Sequence, residues 1–356
     1  MTKKQSQKSS RSTGRTIKTI NDAIEKYLDT IKQVRSDNTA RAYKNALNVF
    51  RLMLEQNKLS PEDTPITQIN EHLISKFAAS LKTYSPATER LYIQAVSGFY
   101  KYLAAEQLSE INLPRLELLK KQRTRKPGIR LPQFPSNEIE RIIDHVTPLT
   151  SSEKTAEFVK KSSQKQLNIR LRELRDRAFL VTLADTGLRV HEACNLRRGD
   201  MDWNEGRAVI VGKGDKQAVV RFSQRAILAL KNYLQARSNL DGSSGRPLGS
   251  LPLFARHDKG AGKKVKPITP TGGRNLVNER VREILGEEAV GRITPHSFRH
   301  YFVTTVLRGS GNLKLAQELA RHSNIQVTQR YVHLSNDELD KGYHEIFEQK
   351  HNPAAK

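Results

Sequence analysis

The sequence predicts a mainly α-helical protein with one small antiparallel β-sheet, an α+β chain in two domains. Three observations carry this. Apolar residues recur at helical spacing through most of the first 114 residues. In RAVIVGKGDKQAVVRF (207–222), two β-rich runs flank a Gly-Lys-Gly-Asp turn, which is a hairpin signal. Between these regions, KKQRTRKPGIR (120–130) holds six basic residues, a Pro-Gly pair and no acid, the composition of a linker.

Residues 1–16 are polar and basic and read as a disordered tail. A helical domain is expected over 17–114. Its first stripe is Ile17, Ile20, Ile24, Tyr27, Leu28 and Ile31; Ser36-Asp37-Asn38 then offers a cap to a second, Tyr43, Leu47, Phe50 and Leu54. Ile69, Leu73, Phe77 and Leu81 make a third. Ser85-Pro86, a cap followed by a first-turn proline, opens a fourth with Leu91, Ala95, Phe99 and Leu103. The domain is expected to end near Leu113-Pro114, with a basic linker over 115–132.

The second domain is expected over 133–348, with a short tail at 349–356. It opens on a capped helix, SNEIERIIDHV, followed by a polar insertion at 150–168. A helix through Leu174, Phe179, Leu180 and Leu183 stops at Thr186-Gly187. After the hairpin come a helix over 224–237, a Gly/Pro/Ser-rich loop over 239–270, and helices near 272–285, 295–308 and 313–321. Ser335 with Glu338 forms a capping box opening an amphipathic helix with Leu339, Tyr343, Ile346 and Phe347.

The net charge is +24, from 61 basic and 37 acidic residues, the footprint of a polyanion binder with nucleic acid as first candidate. A ribosomal or membrane-surface role is the other reading of the charge. No apolar run approaches the roughly 18 residues of a membrane span, and the N-terminus carries no secretory signal. Cys194 is the only cysteine, so neither an internal disulfide nor a Cys-based metal site is expected. A reducing, cytoplasmic setting follows.

Four short stretches hold the candidate chemistry. In TPHSFRHYF (294–302), Thr294 and Pro295 start a helix whose first turn carries His296 and Arg299 on one face, where backbone N–H groups favour an anion. His296 and His300 have zinc-protease spacing, but Ser297 stands where that motif needs Glu, so no metal is expected and His300 reads as structural. In TGLRVHE (186–192), Arg189 follows a Gly turn with Glu192 three residues on: either a surface ion pair or an arginine held for an anion. In VGKGDK (211–216), Gly214 follows the lysine where a phosphate loop needs Ser or Thr, so no nucleotide site is indicated and Lys213 reads as a reaching hairpin-tip cation. HSNIQVTQRY (322–331) puts Tyr331 nine residues after His322. Most tyrosines simply pack, and only this company makes Tyr331 a candidate for reaction.

The succession TGLR, GKG, HSFRH and H-x8-Y, in register over roughly 133–348, resembles the tyrosine recombinases, or phage-integrase family. The helical first domain fits that family's core-binding domain by pattern. The resemblance implies a site-specific DNA recombinase that clamps duplex DNA between its two domains. It implies Tyr331 as nucleophile, Arg189 and Arg299 as phosphate clamp, and Lys213 as general acid at the 5′-oxygen. It further implies His296 as general base, His322 as a donor to a non-bridging oxygen, and Glu192 as the holder of Arg189. No cofactor and no metal are implied. A homotetramer on two DNA sites is, with a Holliday junction between them and the C-terminal helix docked on a neighbour. Integration, excision and dimer or transposon resolution all fit, and accessory proteins are unknown.

Lys120, Lys121, Arg123, Arg125, Lys126 and Arg130 are candidate DNA contacts. One departure stands out. The family usually has Leu-Gly before its second histidine, and here Ala320-Arg321 occupies that place; a glycine there serves a positive φ that arginine adopts poorly. A different turn, or a DNA contact by Arg321, is expected. The rival readings are a type IB topoisomerase working as a monomer and a catalytically silent DNA-binding accessory factor.

Overall fold

A computed structural model describes residues 17–125, 135–146, 164–212, 217–258, 260–261, 264–322, 324–329 and 331. The expected tail at 1–16, residues Lys126 and Arg130, most of the 150–168 insertion, Lys213 and its turn, the C-terminal helix from Ser335 and the end tail lie outside the described residues. The chain divides into two compact units, Met1–Ile129 and Arg130–Lys356.

In the first unit, α1 (Ile20–Val34) starts at a capping box: Thr19 Oγ1 accepts from the Asp22 N–H, and the Asp22 carboxylate accepts from the Thr19 N–H. Helices α2 (Asp37–Gln56), α3 (His72–Ser80) and α4 (Pro86–Ala105) follow. Ser85 caps α4 as its sequence foretells, accepting from the Thr88 N–H. The expected stripes meet in one core around Phe50, Phe77 and Phe99, except that Leu91 is exposed and Ile93 and Val96 take the inward places on α4.

The expected linker begins too early. Residues Leu113–Arg123 form another helix, α5, capped by Asn112, whose side chain accepts from the Arg115 N–H at 3.0 Å. Leu113-Pro114 resembles a domain end because proline interrupts helices, but in the first turn its missing N–H costs nothing. Leu116 from α5 is fully buried in the first core. Two of the basic residues read as linker are tied down locally. Lys120 pairs with Glu117; Arg125 pairs with the buried Glu89 and donates to the Tyr84 carbonyl at 2.6 Å. Lys121 and Arg123 are exposed.

The second unit contains α6 (Ser136–Val146), α7 (Gln164–Thr186) and α8 (Val190–Asn195). α7 already runs through 164–168, so the polar insertion is shorter than expected. A three-stranded antiparallel sheet follows in the order β1 (Met201–Asp202), β2 (Arg207–Val211), β3 (Gln217–Arg221). Ala208 pairs with Val220 and Ile210 with Ala218, which turns Ala208, Ile210 and Val220 to the core. Then come α9 (Gln224–Ala236), α10 (Ser238–Gly242), α11 (Pro270–Leu285), α12 (Pro295–Ser310), α13 (Leu313–Ala320) and α14 (Ile325–Gln329). The segment expected as a loop over 239–270 is in part core: Leu251, Leu253, Phe254 and Ala255 are fully buried, and the buried Arg237 donates to the Pro252 and Leu253 carbonyls at 2.8 and 3.1 Å. Gly, Pro and Ser mark irregular backbone there, and isolated backbone bonds, such as the Leu253 N–H to the Leu196 carbonyl and the Ile268 N–H to the Phe254 carbonyl, order it together with the Arg237 guanidinium.

Leu116→Ala is expected to cost about 2–5 kcal/mol. Hydrogen exchange should accelerate in α2–α4, while the unfolding transition of the sole tryptophan, Trp203 in the second unit, stays in place. Unchanged exchange would return α5 to the status of a linker.

Candidate active site

Arg189 is set by the end of α7. Gly187 closes that helix at φ +59, and its open side is filled by the Phe302 ring, so a side chain there would meet both strain and a clash. The chain then turns into α8. Glu192, in the first turn of α8, accepts from the Arg189 backbone N–H and from Arg189 Nη1, each at 2.9 Å. A carboxylate fits this place because the helix start presents unpaired N–H groups. Burial works to raise the Glu192 pKa, but the Arg189 N–H and the charges of Arg321 and Arg189 outweigh it and hold the group below the ordinary glutamate range. Arg189 keeps 43% of its side chain exposed, enough to meet a ligand.

Arg299, one turn into α12, is only 2% exposed. Its two terminal nitrogens donate to the carbonyls of Gly187, the residue just past α7, and Ala320, the last residue of α13. Those oxygens lack intrahelical donors, and a planar guanidinium reaches both. Burial, with Arg189 and Arg321 nearby, brings its pKa down to about 10, so it stays charged at neutral pH.

Tyr331 is both packed and poised. Its N–H bonds to the Thr328 carbonyl, and its ring lies among Val303, Leu307, Ala316 and Ala320 at 3% exposure. Its hydroxyl is hydrogen-bonded to His300 Nδ1. His300, expected to be structural, is therefore the side chain in contact with the tyrosine oxygen. His296, given the base role by resemblance, stands one turn away with its ring 4.6 Å from that of His300. No single-sequence signal separates the two, since both lie on the α12 face that looks toward Tyr331.

His322 follows α13, with Nδ1 2.8 Å from the buried Thr328 hydroxyl. Burial first, then the charges of Arg299, Arg189 and Arg321, push its pKa down to about 4. His300 falls to about 4 through burial and its neighbours His296 and Arg299, and His296 is lowered by burial, Arg299 and Arg189. His300 and His322 are therefore neutral at pH 7, able to accept as well as donate.

Arg321 corrects two expectations. The turn before His322 is not altered: Arg321 adopts the left-handed conformation itself, φ 57 and ψ 45, at a cost of about 1–2 kcal/mol for a residue with a Cβ. The N–H groups of Arg321 and His322 close the helix on the Glu318 and Gln317 carbonyls. Nor does the Arg321 side chain extend from the surface. Its side chain is 12% exposed, and Nη2 lies 3.2 Å from Glu192 Oε2.

Arg189, His296 and Arg299 line one open cavity of about 390 Å³, joined by Arg274 and Asn278 from α11, which the sequence reading passed over. The electrostatic neighbours of His322 place it beside the same arginines. Among the described residues no cluster of His, Cys, Asp and Glu is placed to hold a metal ion, and no helix is long and apolar enough to cross a membrane.

A buried tyrosine bonded to histidine thus stands near Arg299, which lines one cavity with Arg189 and His296. The chain belongs to the phage integrase family, the tyrosine-type site-specific recombinases: that family's model matches residues 137–338, more than half the chain. The model of the phage-integrase N-terminal SAM-like domain matches 24–107. The chain is 28% identical to tyrosine recombinase XerC of Treponema denticola over 91% of its own length and 98% of the relative's. Its fold is similar to that of lambda integrase, solved as a dimer bound to a COC′ core site, at 17% identity and TM-score 0.57 over 88% of this chain and 95% of the other. It is also similar to the XerH site-specific recombinase, solved on a palindromic difH substrate, at 16% identity and TM-score 0.56 over 91% and 94%.

Because His300 and His322 titrate lower in the fold than the ordinary value near 6.5, the unfolded chain binds more protons between about pH 6.5 and 4. Stability of the second unit is expected to fall as pH drops through that window. His300→Gln should flatten the fall, as read by urea midpoints followed through Trp203 fluorescence. A midpoint independent of pH would show that these imidazoles are not buried neutral.

Proposed function

We propose that the chain cuts and rejoins duplex DNA through a covalent 3′-phosphotyrosine. The observation that carries this is the Tyr331 hydroxyl hydrogen-bonded to His300 Nδ1 close to Arg299, which shares a cavity with Arg189. Tyr331 Oη attacks the scissile phosphorus, and the bond from phosphorus to the 5′-oxygen breaks. Ionising a tyrosine of pKa about 10 in advance at pH 7 would cost ~4 kcal/mol, so its proton leaves during attack. His300 Nδ1 is the acceptor the geometry supports, with the His296 ring set edge-on against it. A scissile phosphate entering the cavity adds negative charge, which raises the pKa of His300 toward a useful base.

The transition state gathers charge on the non-bridging oxygens. Arg189 and Arg299 are fixed donors for it, and His322, steadied by Thr328, is a third. Lys213 protonates the departing 5′-oxygen in this reading. Phosphotyrosine formation conserves the ester, and attack by another strand's 5′-hydroxyl restores the tyrosine. Two such exchanges pass through a Holliday junction. Four protomers on two duplexes would complete them, and the amphipathic residues Leu339, Tyr343, Ile346 and Phe347 support docking of the C-terminal segment on a neighbour.

Incubation with a pool of nicked suicide duplexes from the native flanking DNA should give a denaturation-resistant 3′-linked adduct with wild type and none with Tyr331→Phe. His300→Gln should slow adduct formation by about 10²- to 10⁴-fold, the range for a proton-transfer group, and by more than His296→Gln. Adduct from Tyr331→Phe would remove Tyr331 as nucleophile; an unaffected His300→Gln would return the base role to His296.

A further inference from the structure

We propose that Arg321 is a positioning residue of the reaction: through Glu192 it locks Arg189 to the helix end that carries His322. The inference rests on the reading of Arg189 and Tyr331 given above. The first ground is the backbone. Arg321 sits at φ 57, where glycine would be unstrained, so nothing in the turn itself calls for this side chain.

The second ground is where the side chain goes. A surface arginine at a helix end would extend into water. This one folds inward to 12% exposure and reaches a carboxylate 129 residues away in sequence. Glu192 Oε2 then accepts from both the Arg189 backbone N–H, at 2.9 Å, and Arg321 Nη2, at 3.2 Å, while Oε1 accepts from Arg189 Nη1 at 2.9 Å. With both oxygens engaged, the carboxylate has one orientation, and so has the guanidinium of Arg189 that leans on it.

The third ground is the company on the same turn. Ala320, one residue before Arg321, gives its carbonyl to Arg299, and His322 follows directly. A single turn thus connects to both arginines of the clamp: Arg299 by its backbone and Arg189, through Glu192, by the Arg321 side chain. Arg321 touches no phosphate in this scheme. It sets where Arg189 points.

The test uses the full chain, the suicide-duplex pool and Trp203 fluorescence as a check on folding. Arg321→Gly removes the side chain and the backbone strain together, so the fold is expected to persist. Adduct formation should slow about tenfold or more, the scale of a slightly misplaced catalytic group, while the Kd for the same duplexes changes less than about twofold. Arg321→Lys, which keeps a donor within reach of Glu192, should recover most of the rate. In a Glu192→Gln background the further change Arg321→Gly should add little, because the two act as one unit.

A wild-type rate in Arg321→Gly would overturn the inference. So would equal losses of binding and rate, which would make Arg321 a DNA contact, or full additivity with Glu192→Gln. Wild type giving no adduct would instead remove the reading of Tyr331 on which the inference stands.

Discussion

The second unit depends on one buried cation. Arg299 lies at 2% exposure with no carboxylate among the described residues hydrogen-bonded to it, and it survives there by donating to the carbonyls at the ends of α7 and α13. Desolvating a guanidinium is expensive unless its donors are met. Each of those carbonyls would otherwise be an orphan at a helix end. The two needs satisfy one another, and the consequence is geometric. The end of α7 leads into Arg189, and the end of α13 leads into Arg321 and His322. Whatever holds Arg299 in place also fixes the distance between the two halves of the proposed phosphate clamp.

Charge explains the state of the histidines around it. Three arginines and one glutamate leave the site net positive, and the half-buried imidazoles of His300 and His322 beside such a field stay neutral. A neutral His300 can take a proton from Tyr331, whereas an imidazolium could not. An anionic ligand would relax the same field, so the residue proposed as base becomes more basic only when a phosphate is present. Tyr331 itself is packed against Val303, Leu307, Ala316 and Ala320, which keeps its hydroxyl on His300 and away from water.

Much of this was legible in the sequence, for reasons that differ by residue. Arg189, Glu192, His296, Arg299, His322 and Tyr331 stand in short local motifs whose caps and turns are visible in one dimension: Thr294-Pro295 before the helix, Gly187 after one. The helical stripes and the hairpin register follow from period alone. What could not be read was tertiary. The partnership of His300 with Tyr331 spans 31 residues, and helical spacing offers His296 and His300 equally. In the sequence Arg321 suggests a different turn or a DNA contact, because nothing local shows that its partner is Glu192. Leu113-Pro114 carries the same residues whether a domain ends or a helix begins, and only the burial of Leu116 decides. The 239–270 stretch looks like loop in one dimension because its order comes from isolated backbone bridges and Arg237 side-chain bonds, which leave no periodic trace.

The central claim is that the Arg299 guanidinium holds two remote helix ends together. Hydrogen exchange on Arg299→Met tests it most directly, since methionine keeps much of the side-chain volume and removes the donors. The account predicts that protection falls together at residues 186–192 and 317–324, two segments far apart in sequence, while α9 and α11 keep theirs. Loss confined to α12, or no loss at either helix end, would contradict it.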